Sequence, residues 1–338
     1  MQSLIEESLE SKYIPSINEG ILTTIGNTPL LKLERILKNT QFQLFAKMEM
    51  FNPGGSIKDR TAFNIIKSAC EKNHIRPDTT VIESSSGNLG IGLAQVCAFL
   101  GLYFICVVDP KTTKQNIKIM KAYGAEIDIV REPDPITGDF LFARINRVKS
   151  LLSSISNSFW CNQYANLDNP RVHHQTMHEI VTAFNGQLDY LFCATSTCGT
   201  LRGCSEYVRN NNLKTKIIAV DAVGSVIFGD QRRKRLIPGH GAGRVPELFQ
   251  PGLEDAYVHI SDLDCVVGCH RLLRHEAILA GGSSGGVIAA IEKKREEIPN
   301  SATCVAILCD RGEHYLDTIY SDSWIEENFG NIFYLWDN

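Results

Sequence analysis

Short apolar, β-branched runs alternate along most of the chain with longer segments of helical period. One such segment carries Ala62, Ile65, Ile66 and Ala69 on one face of a helix. The uncharged run from Tyr103 to Val108 instead has the length and composition of a buried strand. Strands separated by helices of this length indicate parallel sheets, so the pattern predicts an α/β fold with doubly wound sheets.

The predicted elements follow one another with short connections. The predicted strands are 43–48, 80–83, 103–108, 126–130, 189–194, 216–221, 257–261 and 303–308. The predicted helices are 58–71, 88–100, 113–123, 140–152, 171–184, 199–209, 264–274 and 284–294. The uncharged stretch from Gly90 to Val108 resembles a membrane span in length, but Gly101 divides it and no basic cluster flanks it. We therefore expect a buried helix followed by a strand, and no membrane association.

Size and charge exclude several function classes. A chain of 338 residues suits two packed lobes. A formal net charge of −4 with mixed signs disfavours a nucleic-acid binder, and the one basic cluster, 232–235, fits a solvated loop. The N-terminal residues Glu6, Glu7 and Glu10 lack the order of a signal peptide, so we expect a cytoplasmic protein.

The eleven cysteines indicate neither disulfides nor a zinc site. Their number is odd and no C-x-x-C occurs, so they fit small buried hydrophobic residues in a reducing compartment. His174 and His178 lie one helical turn apart, but no third ligand stands at a typical spacing. No metal is expected.

The stretch Asn-Pro-Gly-Gly-Ser-Ile-Lys-Asp-Arg, 52–60, places a lysine just inside a predicted helix. Pro53 and the two glycines favour a tight turn, and Ser56 is a good N-cap. Lys58 then lies in the first helical turn, where the macrodipole disfavours a cation. One interpretation is a solvated surface lysine. The other is a lysine of lowered pKa that serves as a Schiff-base amine and general base.

Three loops rich in glycine and hydroxyl groups precede predicted helices, where doubly wound sheets bind ligands. They span 83–90, 194–200 and 280–286. The first suits a carboxylate and the second a phosphate, although a serine-rich turn alone is usually only a helix cap. No G-x-G-x-x-G and no P-loop motif occurs, which disfavours dinucleotide and P-loop enzymes. An amine with a phosphate nest and a carboxylate cradle suggests a phosphorylated aldehyde cofactor that handles an amino acid.

Five motifs then occur in order over about residues 24–310. They are Gly-Asn-Thr-Pro-Leu (26–30), the lysine stretch (52–60), Ser-Ser-Gly-Asn-Leu-Gly (85–90), Gly-His-Gly-Ala-Gly (239–243) and Gly-Gly-Ser-Ser-Gly (281–285). With them the chain resembles the cysteine synthase/cystathionine β-synthase family, which are fold-type II pyridoxal-phosphate enzymes. The resemblance implies two doubly wound lobes, as in tryptophan synthase β. The larger, 1–47 with 158–338, would bind the cofactor phosphate, and the smaller, mobile one, 48–157, the substrate carboxylate.

The resemblance also implies roles by position, small amino-acid substrates and a homodimer. Lys58 resembles the Schiff-base lysine, Asn88 the residue beside the cofactor's 3′-oxygen and Ser283 the partner of the pyridine nitrogen. The implied phosphate-binding loop is Ser196, Thr197, Cys198, Gly199 and Thr200. The implied substrate-binding residues are Ser85, Ser86, Asn88, Leu89, Gln163, Tyr164 and Arg244.

Departures from the cysteine synthase pattern narrow the expected function. Ser196 and Cys198 stand where glycines are usual, Leu89 where threonine is usual, and Arg244 where an apolar residue is usual. Four strings, 83–90, 162–166, 224–230 and 315–324, resemble the siderophore-pathway 2,3-diaminopropionate biosynthesis enzymes. This implies a transferase that makes N-(2-amino-2-carboxyethyl)-L-glutamate from O-phospho-L-serine and L-glutamate. The alternatives are a cysteine synthase that uses sulfide with O-acetylserine or O-phosphoserine, and a cofactor-free binding protein that kept the fold.

Overall fold

The structure is a computed structural model, and it describes residues 17–38 and 40–336. Two compact units make up the chain. The smaller unit comprises the described residues up to Ile25 and Ala62–Asn162, and the larger comprises Gly26–Thr61 and the chain from Gln163 onward. The lobes predicted from the sequence change at 47 and 157, and that division stays a prediction. The acidic N-terminal residues behind the cytoplasmic expectation lie outside the described residues.

The elements alternate as the sequence pattern predicts. The strands are β1 (Leu30–Lys32), β2 (Gln43–Met48), β3 (Thr80–Ser84), β4 (Tyr103–Val108), β5 (Glu126–Ile129), β6 (Ser158–Trp160), β7 (Tyr190–Ala194), β8 (Lys216–Ala222), β9 (Ala256–Ile260) and β10 (Thr303–Leu308). The helices are α1 (Lys58–Glu71), α2 (Asn88–Leu100), α3 (Lys114–Ala122), α4 (Phe140–Ser154), α5 (Asp168–Ala183), α6 (Gly199–Asn210), α7 (Asp262–Glu276), α8 (Gly282–Lys294) and α9 (Asp322–Phe329).

The larger unit contains a six-stranded sheet in the order β1-β2-β10-β7-β8-β9. Only β1 runs antiparallel to its neighbour, and the other four pairings are parallel. The carboxyl ends of β2, β7 and β10 lead into 49–57, 195–198 and 309–310, so the lysine stretch and the predicted phosphate-binding loop leave the sheet at one edge.

The smaller unit contains a four-stranded, fully parallel sheet in the order β5-β4-β3-β6. Its core includes the predicted apolar face of α1, where Ala62, Ile65 and Ile66 are fully buried. The carboxyl end of β3 leads directly into the serine-rich loop that precedes α2. The α/β fold with parallel sheets is thus confirmed.

The uncharged stretch at 90–108 divides as expected. It forms most of α2 and all of β4, joined at Gly101, whose φ of 69° suits a glycine at a helix C-terminus. No helix in the described part of the chain is long and apolar enough to cross a membrane. The elements that the sequence pattern did not predict are the three-residue strands β1 and β6 and the late helix α9.

Candidate active site

Lys58 is the first residue of α1, directly after the turn at 52–55. The hydroxyl of Ser56 accepts from the Lys58 N–H at 3.1 Å, and the Asp59 carboxylate accepts from the Gly54 N–H at 2.6 Å, which fixes the turn against the helix start. Gly55, at φ 90°, needs a glycine. Burial lowers the pKa of Lys58, against the opposing fields of Cys309 and Asp310. A lysine of lowered pKa is uncharged for a larger fraction of the time, which suits a nucleophile and base.

A buried charge cluster supports this helix start, and the sequence analysis missed it. Arg60 makes a bidentate pair with Glu49, with N–O distances of 2.7 and 2.8 Å, and a second with Glu179 at 2.8 and 2.6 Å. Lys47 lies 2.7 Å from Glu179, and Asn52 donates to Glu49 at 2.9 Å. Two cations face two carboxylates with their hydrogen bonds made, so the cluster anchors the lysine turn through Asn52 and α1 through Arg60.

The predicted phosphate-binding loop connects β7 to α6. Its residue Cys198 is the N-cap of α6 with a left-handed φ of 64°, a conformation that favours glycine. Burial raises the pKa of the Cys198 thiol to about 12, so the thiol stays neutral. Thr197 and Thr200 are almost fully buried, whereas Ser196 is half-buried. The loop therefore presents hydroxyl groups and helix N–H groups, without an anionic thiolate.

The N-cap residues of the helices that follow the three candidate loops make no side-chain capping bond, although at α2 and α6 an upstream hydroxyl accepts, Ser85 from the Gly90 N–H at 3.0 Å and Thr197 from the Gly199 N–H at 3.4 Å. Thr113, Asp139, Ser261 and Ser321 each cap a helix, namely α3, α4, α7 and α9. Helix α5 is capped from upstream, because the Asn166 side chain accepts from the N–H of its first residue, Asp168, at 2.9 Å. Among the described helices α2, α6 and α8, the N-cap side chain makes no such bond. Their N-cap residues are Gly87, Cys198 and Gly281. Free N–H groups at a helix start bind anions.

Ser283 is the second residue of α8 and is 8% exposed. The chain at Cys309 joins this helix start to the lysine segment, because its carbonyl accepts from the Ile57 N–H at 2.8 Å and its N–H donates to Ser284 Oγ at 2.9 Å. Burial raises the pKa of the Cys309 thiol to about 12. Ser283 and Lys58 are 225 positions apart in sequence, but Cys309 bridges the two segments in which they lie.

Three further candidate residues lie in the larger unit. Gln163 is 6% exposed and its carbonyl accepts from Asn169 Nδ2 at 2.8 Å, while Tyr164 beside it is half-buried. Arg244 has a side chain 33% exposed, and its Nη2 lies 3.5 Å from Glu247 Oε1. This is the pairing expected of an ordinary surface arginine, so the role of Arg244 in substrate binding stays a prediction.

The predicted carboxylate cradle lies in the smaller unit, between β3 and α2. The Ser85 hydroxyl accepts from the Gly90 N–H at 3.0 Å, so it also acts as a helix cap. The Ser86 carbonyl accepts from Asn116 Nδ2 at 3.0 Å, and Asn88 is the first residue of α2. Leu89 packs in the hydrophobic core of this unit at 2% exposure. The Leu89 side chain is therefore occupied in the core, and its backbone N–H in the first helical turn is the group that a ligand can contact.

Arg144 on α4 is a second functional candidate that sequence reasoning missed. It is 8% exposed, and its Nε lies 3.3 Å from Asp109 Oδ2. Within the described residues, neither Nε nor Nη1 has an aligned hydrogen-bond partner. Arg144 lies in the same unit as the cradle, where Cys106 donates its thiol to the Ser85 carbonyl at 3.1 Å and the Arg144 charge opposes the rise in the pKa of that thiol. A buried guanidinium with unfilled donors is a candidate anion site.

The two histidines one helical turn apart on α5 contact different side chains. His174 Nε2 lies 3.0 Å from Glu206 Oε2, and His178 Nδ1 lies 2.9 Å from the Tyr207 hydroxyl. No group of three or more possible ligands lies together among the residues that the structure describes. Of the basic cluster 232–235, the first three residues are exposed and the fourth is half-buried.

Residues 21–310 match the family model described as pyridoxal-phosphate dependent enzyme. The chain belongs to this family. It is similar to the solved structure of O-ureido-L-serine synthase, with a TM-score of 0.83 and 28% identity over 93% of this chain and 96% of that one. O-acetylserine-dependent cystathionine β-synthase from Helicobacter pylori gives 0.83 and 29% over 89% and 98%. O-acetylserine sulfhydrylase isoform 3 from Entamoeba histolytica gives 0.82 and 32% over 89% and 91%.

The residues present fit pyridoxal phosphate. A lysine of lowered pKa offers the amine, and for the phosphate α6 offers a helix start whose N-cap residue makes no side-chain cap. The chain is a pyridoxal-phosphate-dependent enzyme of the β-replacement type, in the cysteine synthase family. The alternative of a cofactor-free binding protein is thereby set aside.

Proposed function

We propose that this enzyme joins O-phospho-L-serine and L-glutamate to give N-(2-amino-2-carboxyethyl)-L-glutamate, a precursor of 2,3-diaminopropionate in siderophore biosynthesis. The observation that carries the proposal is Arg144. A sulfide nucleophile needs no buried cation in the unit that carries the predicted carboxylate cradle. A phosphate leaving group or the side-chain carboxylate of glutamate does, because each offers oxygens that match a guanidinium.

The geometry of Arg144 supports an anion at this place. Asp109 approaches its Nε at 3.3 Å without an aligned hydrogen bond, and also accepts from the Lys111 N–H at 2.8 Å. The guanidinium therefore keeps unfilled donors although it is almost fully buried. Leaving such donors without partners costs about 1–3 kcal/mol, more for a charged group. An anionic substrate group removes this cost when it binds.

In this reaction the chain's own residues bind and move protons. The α-carboxylate is held by the N–H groups and hydroxyls of the loop at 85–90, and the cofactor phosphate by the start of α6. The cofactor supplies an electron-withdrawing ring that acidifies the substrate's Cα–H bond. Ser283 meets the ring nitrogen with a neutral hydroxyl, which cannot hold a full proton there as an aspartate would.

Lys58 Nζ acts as the base. It removes the Cα proton, and the bond from Cβ to the phosphate oxygen breaks so that inorganic phosphate leaves. The glutamate amine then bonds to Cβ and loses a proton, and Lys58 returns a proton to Cα. The lowered pKa of Lys58 suits both steps, because the amine must be neutral to accept the proton.

Product analysis tests the proposal. O-phosphoserine or O-acetylserine is offered with glutamate, cysteine or sulfide, and the products are identified by mass. The glutamate adduct from O-phosphoserine is expected to dominate. Arg144→Gln should lower kcat/KM for this pair about ten- to a hundredfold while cofactor absorption stays unchanged. A faster reaction with sulfide at equal concentration, in wild type, would overturn the proposal.

A cysteine synthase is the second candidate, since two similar solved structures are those of an O-acetylserine-dependent cystathionine β-synthase and an O-acetylserine sulfhydrylase. The same product analysis distinguishes it. We also propose a cytoplasmic homodimer. The eleven free thiols support a reducing compartment, and light scattering of the purified protein tests the dimer.

A further inference from the structure

Asn169, in the first turn of α5, uses both ends of its amide on three different segments of the larger unit. Its Oδ1 accepts from Thr61 Oγ1 at 3.3 Å. Its Nδ2 donates to the Gln163 carbonyl at 2.8 Å and to Thr197 Oγ1 at 3.3 Å. The side chain is 1% exposed. One buried amide therefore joins the first turn of α1, the residue predicted to hold substrate carboxylate, and the predicted phosphate-binding loop.

Asn169 packs tightly against the predicted phosphate-binding loop. A Cβ at Gly199 would lie 2.1 Å from Asn169 Oδ1, so the start of α6 is packed directly onto the amide and only glycine fits there. On the other side, Thr61 follows Lys58 by three positions, which places the two on the same face of α1. A displacement at the start of α6 is thus transmitted through Asn169 to the turn of α1 that carries the lysine.

His173, one helical turn further along α5, makes the same connection a second time. Its Nε2 lies 3.3 Å from Thr200 Oγ1 and 3.5 Å from Thr61 Oγ1, and its Nδ1 lies 3.2 Å from Thr176 Oγ1. The ring is fully buried, and burial lowers its pKa well below the ordinary value. A neutral imidazole adds no charge to the phosphate site, so its part is also to hold hydroxyl groups in place.

We propose that Asn169 is a positioning residue that couples phosphate binding at the start of α6 to the placement of the Lys58 amine. An apolar side chain would fill the same space but leave Thr61, Thr197 and the Gln163 carbonyl without their shared partner. With the amide in place, an anion that orders the α6 start also orders the Lys58 turn. Phosphate binding therefore strengthens the capture of an aldehyde by Lys58, and capture by Lys58 strengthens phosphate binding.

Pyridoxal lacks the phosphate group, so with it phosphate binding and covalent capture by Lys58 can be measured separately. The full-length apoprotein is titrated with pyridoxal, and covalent capture by Lys58 is followed in the visible spectrum, with and without saturating inorganic phosphate. In wild type, phosphate should strengthen capture at least about fivefold, the lower end of usual coupling between sites. In Asn169→Ala the strengthening should fall clearly below the wild-type value, and only the part carried by the His173 contacts with Thr61 and Thr200 should remain.

Two further variants keep the outcome decisive if Asn169→Ala folds poorly. Thr61→Val removes the hydroxyl that contacts both Asn169 Oδ1 and His173 Nε2, and should keep phosphate affinity while losing the coupling. Asn116→Ala is the matched control, because this buried amide donates to the Ser86 carbonyl in the smaller unit and should leave the coupling intact. If phosphate fails to strengthen capture in wild type, or strengthens it equally in Thr61→Val, the proposal is wrong and Asn169 only packs α5 against α6.

Discussion

Replacing Glu179 by glutamine should destabilise the larger unit, because it leaves two buried cations with only one carboxylate partner. Glu179 Oε2 lies 2.6 Å from Arg60 Nη2 and 2.7 Å from Lys47 Nζ, and Oε1 lies 2.8 Å from Arg60 Nη1. The cluster is neutral because Glu49 supplies the second carboxylate. In Glu179→Gln the two cations share a single carboxylate. Removing one partner of a buried pair typically costs about 3–5 kcal/mol.

The pKa of Glu179 gives an independent magnitude. Burial would raise this pKa, but hydrogen bonds and charge from Arg60 and then Lys47 lower it from 4.5 to about 2. A difference of about 2.5 corresponds to about 3 kcal/mol. Because the folded pKa is the lower one, this stabilisation is fully present above pH 4.5 and is lost as the pH falls towards 2. Linkage places about 2 kcal/mol of the loss between pH 6 and pH 3.

Urea unfolding of wild type and variant at several pH values measures both effects. Glu179→Gln should lose about 3 kcal/mol at pH 7 and should show a flatter acid limb than wild type. Glu206→Gln is the matched control, since Glu206 pairs with Arg202 at 2.7 Å and is 30% exposed, so its loss should stay below about 1 kcal/mol. Equal losses in the two variants, or an unchanged acid limb in Glu179→Gln, would refute the reasoning.

Four further outcomes are expected. Wild type with pyridoxal phosphate should absorb in the visible range, and Lys58→Ala should lose this absorption and essentially all turnover. Ser283→Asp should hold a full proton at the ring nitrogen and change the spectrum and the product partition; unchanged values would make Ser283 only part of a helix start. Ala277→Gly should stabilise the protein by about 1 kcal/mol in thermal unfolding because of its positive φ of 56°, and Cys198→Gly should gain less, since it also removes a buried side chain. Arg244→Ala should lower kcat/KM about ten- to a hundredfold with little recovery in Arg244→Lys, and wild-type constants in both half-reactions would make it scaffold.

The sequence pattern was sufficient for elements long enough to show a period. Helix α2 and strands β4 and β10 begin and end at the predicted residues. Strands β1 and β6 were not predicted, because three residues show neither alternation nor a clear apolar run. Helix α9 buries a single residue, Ile325, so it has no apolar stripe for a pattern to reveal.

The site was predictable as far as its residues belong to motifs. Lys58, Ser283 and the loop at 196–200 stand in glycine-rich stretches whose chemistry is local. Asn169 and Arg144 lie inside helices among ordinary neighbours, and their importance comes from partners that the sequence does not identify. The donors to and acceptors from Asn169 stand 6, 28 and 108 positions away. Such contacts become visible only when the fold places the segments together.

The helices differ in whether the side chain of the N-cap residue caps the first turn. A capping side chain typically contributes about 1 kcal/mol, and α3, α4, α7 and α9 each have one. The N-cap residues of α2, α6 and α8 provide none, although serines and threonines stand within two positions of each. A fold selected for stability alone would move those hydroxyls into the cap positions. A phosphate dianion placed at the start of α6 would meet backbone N–H groups and the positive end of the helix dipole together, which is a stronger interaction than a neutral hydroxyl can make. We therefore expect ligands to bind at the starts of α2, α6 and α8, whose N-cap residues make no side-chain cap, and the phosphate dependence of pyridoxal capture tests this at α6.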